Sequence, residues 1–128
     1  MNKGKKIGVY LDHVSARLIE LDGAAPLTRV IESEFTPDER EFTRAKSENV
    51  MHNKEHHEQA QYYRKIGECL KGFNEVLLFG PTTAKKELQN LLLADKAYNG
   101  VQIHLKDSDK MTEKNQEHFV MDFFANGI

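Results

Sequence analysis

The stretch EVLLFG, residues 75–80, constrains the fold more than any other in the chain. It is a short, continuous apolar run, which suits a strand covered on both faces of a sheet. The residues after it are equally informative. Gly80-Pro81-Thr82-Thr83 opens a helix, since proline is favoured in a first helical turn and threonine can cap it. Ala84, Leu88, Leu91 and Leu92 supply that helix with a buried stripe. Before the strand, Tyr63, Ile66, Leu70 and Phe73 recur at helical spacing and predict a helix over about 54–71, ending at Lys71-Gly72. Helix, doubly covered strand and helix together point to an α/β protein.

The first third of the chain reads differently. In KIGVYLD, 6–12, Ile7, Val9 and Leu11 alternate with Lys6, Gly8, Tyr10 and Asp12, the period-two pattern of a half-buried strand. Asp12-His13-Val14-Ser15 makes a tight connection to a second strand, 16–21, with Leu18 and Ala16 inward. Asp22-Gly23, with Ala24, Ala25 and Pro26 after it, signals a turn into a third strand, 28–35. Two short turns between three strands imply an antiparallel meander.

Between Thr36 and about Lys54 the periodicity stops, and a connection of this length in a compact domain is functional or disordered. After the second helix, Asn99-Gly100 turns the chain into an alternating strand, 101–107. Ser108 to Thr112 then leads to a last helix with Phe119, Val120, Phe123 and Phe124 buried. The order is β-β-β-α-β-α-β-α, the element order of the ribonuclease-H-like architecture: a mixed five-stranded sheet with helices on its faces.

Composition narrows the function. The 128 residues suit one domain spanning 1–128, with no internal repeat or low-complexity tract. The balance of 18 basic and 20 acidic residues gives a net charge of −2, so no global basic excess advertises nucleic acid. The single cysteine excludes an intramolecular disulfide and a cysteine-based zinc cluster. No apolar run approaches the ~20 residues of a membrane span, and no cofactor motif is present. A cytoplasmic location is expected.

Two segments carry a family resemblance. In GVYLDHVSARLIEL, 8–21, Asp12 ends the first strand of a strand–turn–strand opening. YYRKIGECLKGFNEVLLFGPTTAKKELQNLL, 62–92, is similar to the helix–strand–Gly-Pro–helix segment in the middle domain of eukaryotic and archaeal peptide-chain release factors, with Lys85 and Lys86 downstream of Gly80-Pro81. The resemblance covers roughly residues 6–125 and extends to Pelota and to smaller bacterial relatives of that domain. It implies a translation-associated role at the ribosome or tRNA. In release factors the loop after the third strand carries a Gly-Gly-Gln tripeptide that promotes peptidyl-tRNA hydrolysis. Here that loop, 36–54, contains no glycine, and Glu58-Gln59 lacks the backbone freedom of a glycine pair. The ribosome-rescue relatives such as Pelota also lack the tripeptide, so binding without peptide release is the reading the resemblance favours.

Three of the six histidines, His52, His56 and His57, crowd the start of the first predicted helix. His52 and His56 share a helical face and, with Glu55 or His57, offer a zinc site; a solvated helix start is the stronger reading, because no HExxH pattern is present. Arg40, Arg44, Lys46, Lys54 and Arg64, with His56, His57 and Gln59, form a candidate surface for RNA or a partner. Cations supply the sequence-independent part of nucleic-acid affinity, and Tyr62 and Tyr63 can stack on a base. Asp38, Glu39, Glu41, Glu48, Glu55 and Glu58 interleave with these cations and cancel much of their field.

A rival reading is a metal-dependent nuclease of the ribonuclease-H type, which holds two divalent ions between carboxylates. Asp12 is placed for the first ligand, and Asp107, with Glu58 or Asp122, for the others; Asp12 serves equally well to start a turn. The Gly80-Pro81-Thr82-Thr83 helix start can bind an anion with Lys85 and Lys86, or simply be capped. Cys69, with Lys65 and Lys71 as its basic neighbours along the chain, reads as buried and inert. His104 faces outward or lies part-buried beneath a helix. The function expected from these residues is noncatalytic or weakly catalytic binding to ribosome or tRNA through 36–64, with the metal-dependent nuclease and a protein-interaction module as alternatives.

Overall fold

A computed structural model describes residues 5–22, 25–33 and 48–126. In chain order the elements are β1 (Lys6–Leu11), β2 (Ser15–Asp22), β3 (Ala25–Glu32), α1 (Glu48–Leu70), β4 (Glu75–Gly80), α2 (Ala84–Leu93), a 3₁₀ turn (Lys96–Tyr98), β5 (Gln102–Asp107) and α3 (Glu113–Asn126). The strands form one mixed sheet in the order β3-β2-β1-β4-β5. β1, β2 and β3 are antiparallel neighbours, with Val9 opposite Leu18 and Leu18 opposite Arg29. β4 runs parallel to both β1 and β5. The expected ribonuclease-H-like α/β arrangement of a meander and then crossover units is therefore the one observed.

Central strands in this sheet are covered on both sides. Val76, Leu77, Leu78 and Phe79 are all fully buried, which accounts for the unbroken apolar run of β4. β1 departs from simple alternation for the same reason. Ile7, Val9 and Leu11 join the core beneath α1 and α2, where Tyr62, Tyr63, Ile66, Leu70, Ala84, Leu88 and Leu92 pack. Gly8 faces the other side and is buried under α3. A Cβ there would stand 2.3 Å from Val120 Cγ2, so the helix sits where only glycine leaves room. On this second face Ile19, Leu77, Phe79, Val120 and Phe123 form a smaller core. Arg17 of β2 anchors α3 there, donating to Glu117 Oε2 at 2.7 Å, to the Glu113 carbonyl at 3.1 Å and to Gln116 Oε1 at 3.3 Å.

Three local expectations are corrected. β3 occupies 25–32 rather than 28–35, since the strand resumes at Ala25 immediately after the turn. The Ser33 N–H donates to the Val14 carbonyl, 2.7 Å, so odd-numbered residues of β3 bond to β2 and even-numbered ones point their backbone groups away from the sheet. Pro26 falls on an outward position, where its missing N–H costs no ladder bond. α1 begins at Glu48, six residues before the predicted start, because that first part of the helix is polar and shows no apolar stripe. Leu91 is 37% exposed instead of buried: Leu88 and Leu92 alone define the inner face of α2 at that level. Among the described residues no helix is long and apolar enough to cross a membrane.

Candidate functional site

Parallel β1, β4 and β5 deliver three connections to one edge of the sheet: the Asp12–Ser15 turn, Gly80–Thr83, and Asp107-Ser108. In open α/β sheets this carboxyl edge is where ligands bind. Gly80 has φ +153°, and a Cβ on it would lie 2.3 Å from the Leu11 carbonyl oxygen. The ends of β1 and β4 are thereby drawn into contact, and the side chains just beyond them meet.

Asp12 is committed to the turn. Its Oδ1 accepts from the N–H groups of Val14 (2.8 Å) and Ser15 (2.9 Å), and its carbonyl accepts from the Tyr62 hydroxyl, 2.8 Å. Beside it, His13 Nε2 lies 3.3 Å from Glu87 Oε2, and the His13 carbonyl accepts from Gln59 Nε2 at 3.3 Å. Glu87 is the hub of the cluster. Its Oε1 accepts from the Tyr63 hydroxyl at 2.6 Å and its Oε2 from the Thr83 hydroxyl at 3.3 Å. Burial pushes this carboxyl up, but the donors Tyr63, His13 and Thr83 outweigh it and hold Glu87 below the usual carboxylate range. Burial, reinforced by the charge of Asp12, drives the Tyr62 phenol well up; burial and the bond to Glu87 do the same to Tyr63. Imidazole, carboxylate and phenol thus form one hydrogen-bonded chain that ties the β1–β2 turn to α2 and α1.

On the β5 side, Lys85 is buried. Its Nζ donates to the Thr82 carbonyl at 2.6 Å and pairs with exposed Asp107 at 3.1 Å. The Ser108 N–H donates to the Gly80 carbonyl, 3.3 Å, while its buried hydroxyl has no partner among the described residues. Thr82 Oγ1 accepts from the Ala84 N–H at 3.2 Å, whereas Thr83, the N-cap residue of α2, makes no side-chain cap bond. Lys85 thus turns back onto the loop and Asp107 instead of joining Lys86 at an anion site.

The structure redistributes the candidates. Arg40, Arg44 and Lys46 lie outside the described residues. Lys54, His56 and His57 ride on the α1 backbone with Glu58 and His52, and their side chains likewise lie outside the described part of the molecule. Arg64 is exposed on α1. Gln59 holds the His13 loop. Tyr62 and Tyr63 are not stacking platforms: they are 1% and 5% exposed, lie 5.4 Å apart in the core, and offer only their hydroxyls to the edge. Asp12 and Asp107 flank the end of β4, each engaged as described, and Asp122 is exposed on α3. Among the described residues no group of three or more His, Cys, Asp or Glu side chains is placed to hold a metal ion. Cys69 has a basic neighbour that chain proximity did not suggest: Arg29 Nη1, 3.2 Å from its Sγ. His104 is part-buried, 3.2 Å from Glu75 and edge-on to Phe123. The His13–Glu87 pair, 74 residues apart, had no sequence signal beyond Asp12-His13 at the end of a strand.

No family model and no curated protein matches the chain in sequence. In structure it is similar to Pelota of Archaeoglobus fulgidus, with a TM-score of 0.61 and 9% identity, covering 99% of this chain and 32% of that one. Pelota of Thermoplasma acidophilum matches with a TM-score of 0.59 and 14% identity over 92% of this chain and 32% of that one. An archaeal translation termination factor matches with a TM-score of 0.50 and 14% identity over 96% of this chain and 39% of that one. The chain spans about a third of the length of these structures, and at such identities the likeness is one of fold. This chain carries, almost end to end, a fold that forms part of Pelota and of a translation termination factor.

Proposed function

We propose that this chain is a translation-associated binding module that contacts the ribosome or tRNA without Gly-Gly-Gln-dependent peptide release. The observation that carries the reading is the near-complete coverage of the chain by a fold found in a translation termination factor and in Pelota. Two features of the residues support it. The glycine-free segment 36–54 leads into α1, and it brings Arg40, Arg44, Lys46 and Lys54 to a single stretch of chain. Gln59, the glutamine nearest that segment, spends its amide on the His13 carbonyl and serves the scaffold. A ribosome or tRNA contact made by such cations is electrostatic and therefore sensitive to salt.

Cosedimentation with ribosomes tests it. The protein is expected to pellet with ribosomes at low salt and to be released at high salt. The triple variant Arg40→Glu, Arg44→Glu, Lys54→Glu is expected to stay in the supernatant while keeping its circular dichroism spectrum. Magnesium- or manganese-dependent cleavage of RNA, abolished by Asp12→Asn, would overturn the proposal in favour of a nuclease. Absence of both ribosome binding and cleavage would leave a protein-interaction module.

A further inference from the structure

At the amino end of the sheet, away from the His13–Glu87 edge, the C-terminal turn of α1 stands off the meander. It leaves an open cavity of about 150 Å³ lined by Ile7, Leu18, Glu20, Leu27, Thr28, Arg29, Cys69 and Phe73. An enclosed cavity of that size takes a guest of about benzene's volume, and because this one is open a longer molecule can seat its apolar part there and extend beyond the mouth. Its lining is unusual in one respect. Glu20 on β2 and Arg29 on β3 occupy the sheet face that carries the core residues Ile7 and Leu18: Ile7 is opposite Glu20, and Leu18 is opposite Arg29. Glu20 is opposite Leu27, so Glu20 and Arg29 are diagonal cross-strand neighbours, a spacing that long side chains readily bridge. Nevertheless, among the described residues they form no ion pair. Arg29 spends one N–H on the Cys69 sulfur, 3.2 Å, and Glu20 has no hydrogen-bond or ion-pair partner. Opposite charges that could satisfy each other instead line one open cavity, Arg29 exposed and Glu20 half-buried, beside the side chains of Ile7, Leu18, Leu27 and Phe73.

We propose that this cavity binds a small zwitterion, a free α-amino acid with an aliphatic side chain. The carboxylate would lie on the Arg29 guanidinium, which presents further N–H donors in a fixed fork. The ammonium would lie on Glu20, and the side chain against Ile7, Leu27 and Phe73. Both charges of such a ligand are matched, whereas a simple anion engages Arg29 alone and a simple cation Glu20 alone. The site is independent of the translation-related reading and of the residues that reading uses.

The experiment is an amide-resonance titration of the intact chain with L-leucine, N-acetyl-L-leucine, which lacks the ammonium, and L-leucinamide, which lacks the carboxylate. Saturable shifts confined to residues 18–20, 27–29 and 69–73 are expected with leucine, and each single-charge analogue is expected to bind about tenfold more weakly. Glu20→Gln is expected to abolish the preference for leucine over N-acetyl-leucine; Arg29→Gln should abolish the preference over leucinamide. Each variant's thermal midpoint verifies folding. Equal binding of leucine and either analogue overturns the zwitterion assignment, and no saturable shift with leucine overturns the site.

Discussion

At the carboxyl edge of the sheet, the Glu87 carboxylate gathers Tyr63, Thr83 and His13, and neighbouring Asp12 takes two backbone N–H groups and anchors Tyr62 through its carbonyl. At the opposite end, Glu20 gathers nothing among the described residues, and Arg29 has a sulfur for company. The same parallel strands begin at one region and end at the other, so strand direction places the two regions without explaining why they differ. The difference is local connectivity. The carboxyl edge is a convergence of loops, whose backbone groups need partners and recruit side chains to supply them. The amino-end cavity is walled mainly by strand residues, and among the described residues no backbone group there takes the Glu20 or Arg29 side chain as its partner, so these charged side chains are surplus to the fold. Polar groups at the first place hold the structure together; at the second they are available.

Damage at the carboxyl edge is accordingly expected to be costly, and most costly where the backbone itself is involved. Gly80→Ala places a methyl 2.3 Å from the Leu11 carbonyl at a φ of +153°. Neither strand end can retreat without opening the parallel ladder, so a loss of about 3 kcal/mol or more is expected in urea denaturation. A change under about 1 kcal/mol would show that the two strand ends are not locked.

Asp12→Ala removes the acceptor of two N–H groups in the β1–β2 turn and is expected to cost about 1–2 kcal/mol, measured in the same way. Asp12→Asn keeps an oxygen in place and should recover more than half of that loss. If the two variants are equally destabilised, the charge rather than the turn geometry is what Asp12 contributes, and the contrast between the two ends weakens.

Tyr63→Phe deletes one donor to Glu87 and leaves the ring in the core, for an expected cost of about 1 kcal/mol. It also has a pH signature. Glu87 titrates below its ordinary 4.5 in the folded protein, so its stabilising contribution is complete above that value and is lost as the pH falls through the lowered one. In the variant the Glu87 carboxyl is expected to titrate closer to 4.5, read from its side-chain carbon shift. No upward movement would mean that His13 and Thr83 suffice.

How much of this was legible in the sequence depends on separation along the chain. The doubly covered strand Glu75–Gly80 and the meander were readable because hydrophobic period is a local signal. The start of α1 was not: residues 48–53 carry no apolar stripe, and their helicity comes from continuity with the packed half of the helix. Pro26 looked like punctuation, since only the register reveals that its ring lies on an outward position. Asp12 could be placed at a strand end, but its commitment to backbone donors is a matter of geometry. The partners that define the two sites, His13 with Glu87 and Arg29 with Cys69, are 74 and 40 residues apart. Arg29 carries no local signal of its contact with Cys69, because nothing in the strand sequence marks the helix turn that comes to lie beside it.

The smallest effect is the most discriminating, because here the two regions should differ in sign. Glu20→Leu replaces an unpartnered carboxylate, on the face that carries Ile7 and Leu18, with a side chain that extends the apolar surface beneath α1. Nothing is orphaned by the change, since among the described residues no donor depends on Glu20. A residue whose removal stabilises a protein is maintained for something other than folding, the usual pattern where binding groups sit in otherwise well-packed surroundings. Glu20→Leu is therefore expected to raise the urea midpoint, by a stability gain of up to about 1 kcal/mol, whereas the carboxylate-deleting change Glu87→Leu at the other edge strands Tyr63 and Thr83 and lowers it. Two losses of similar size would mean that Glu20 supports the sheet as Glu87 does, and the division between a structural edge and an available one would collapse.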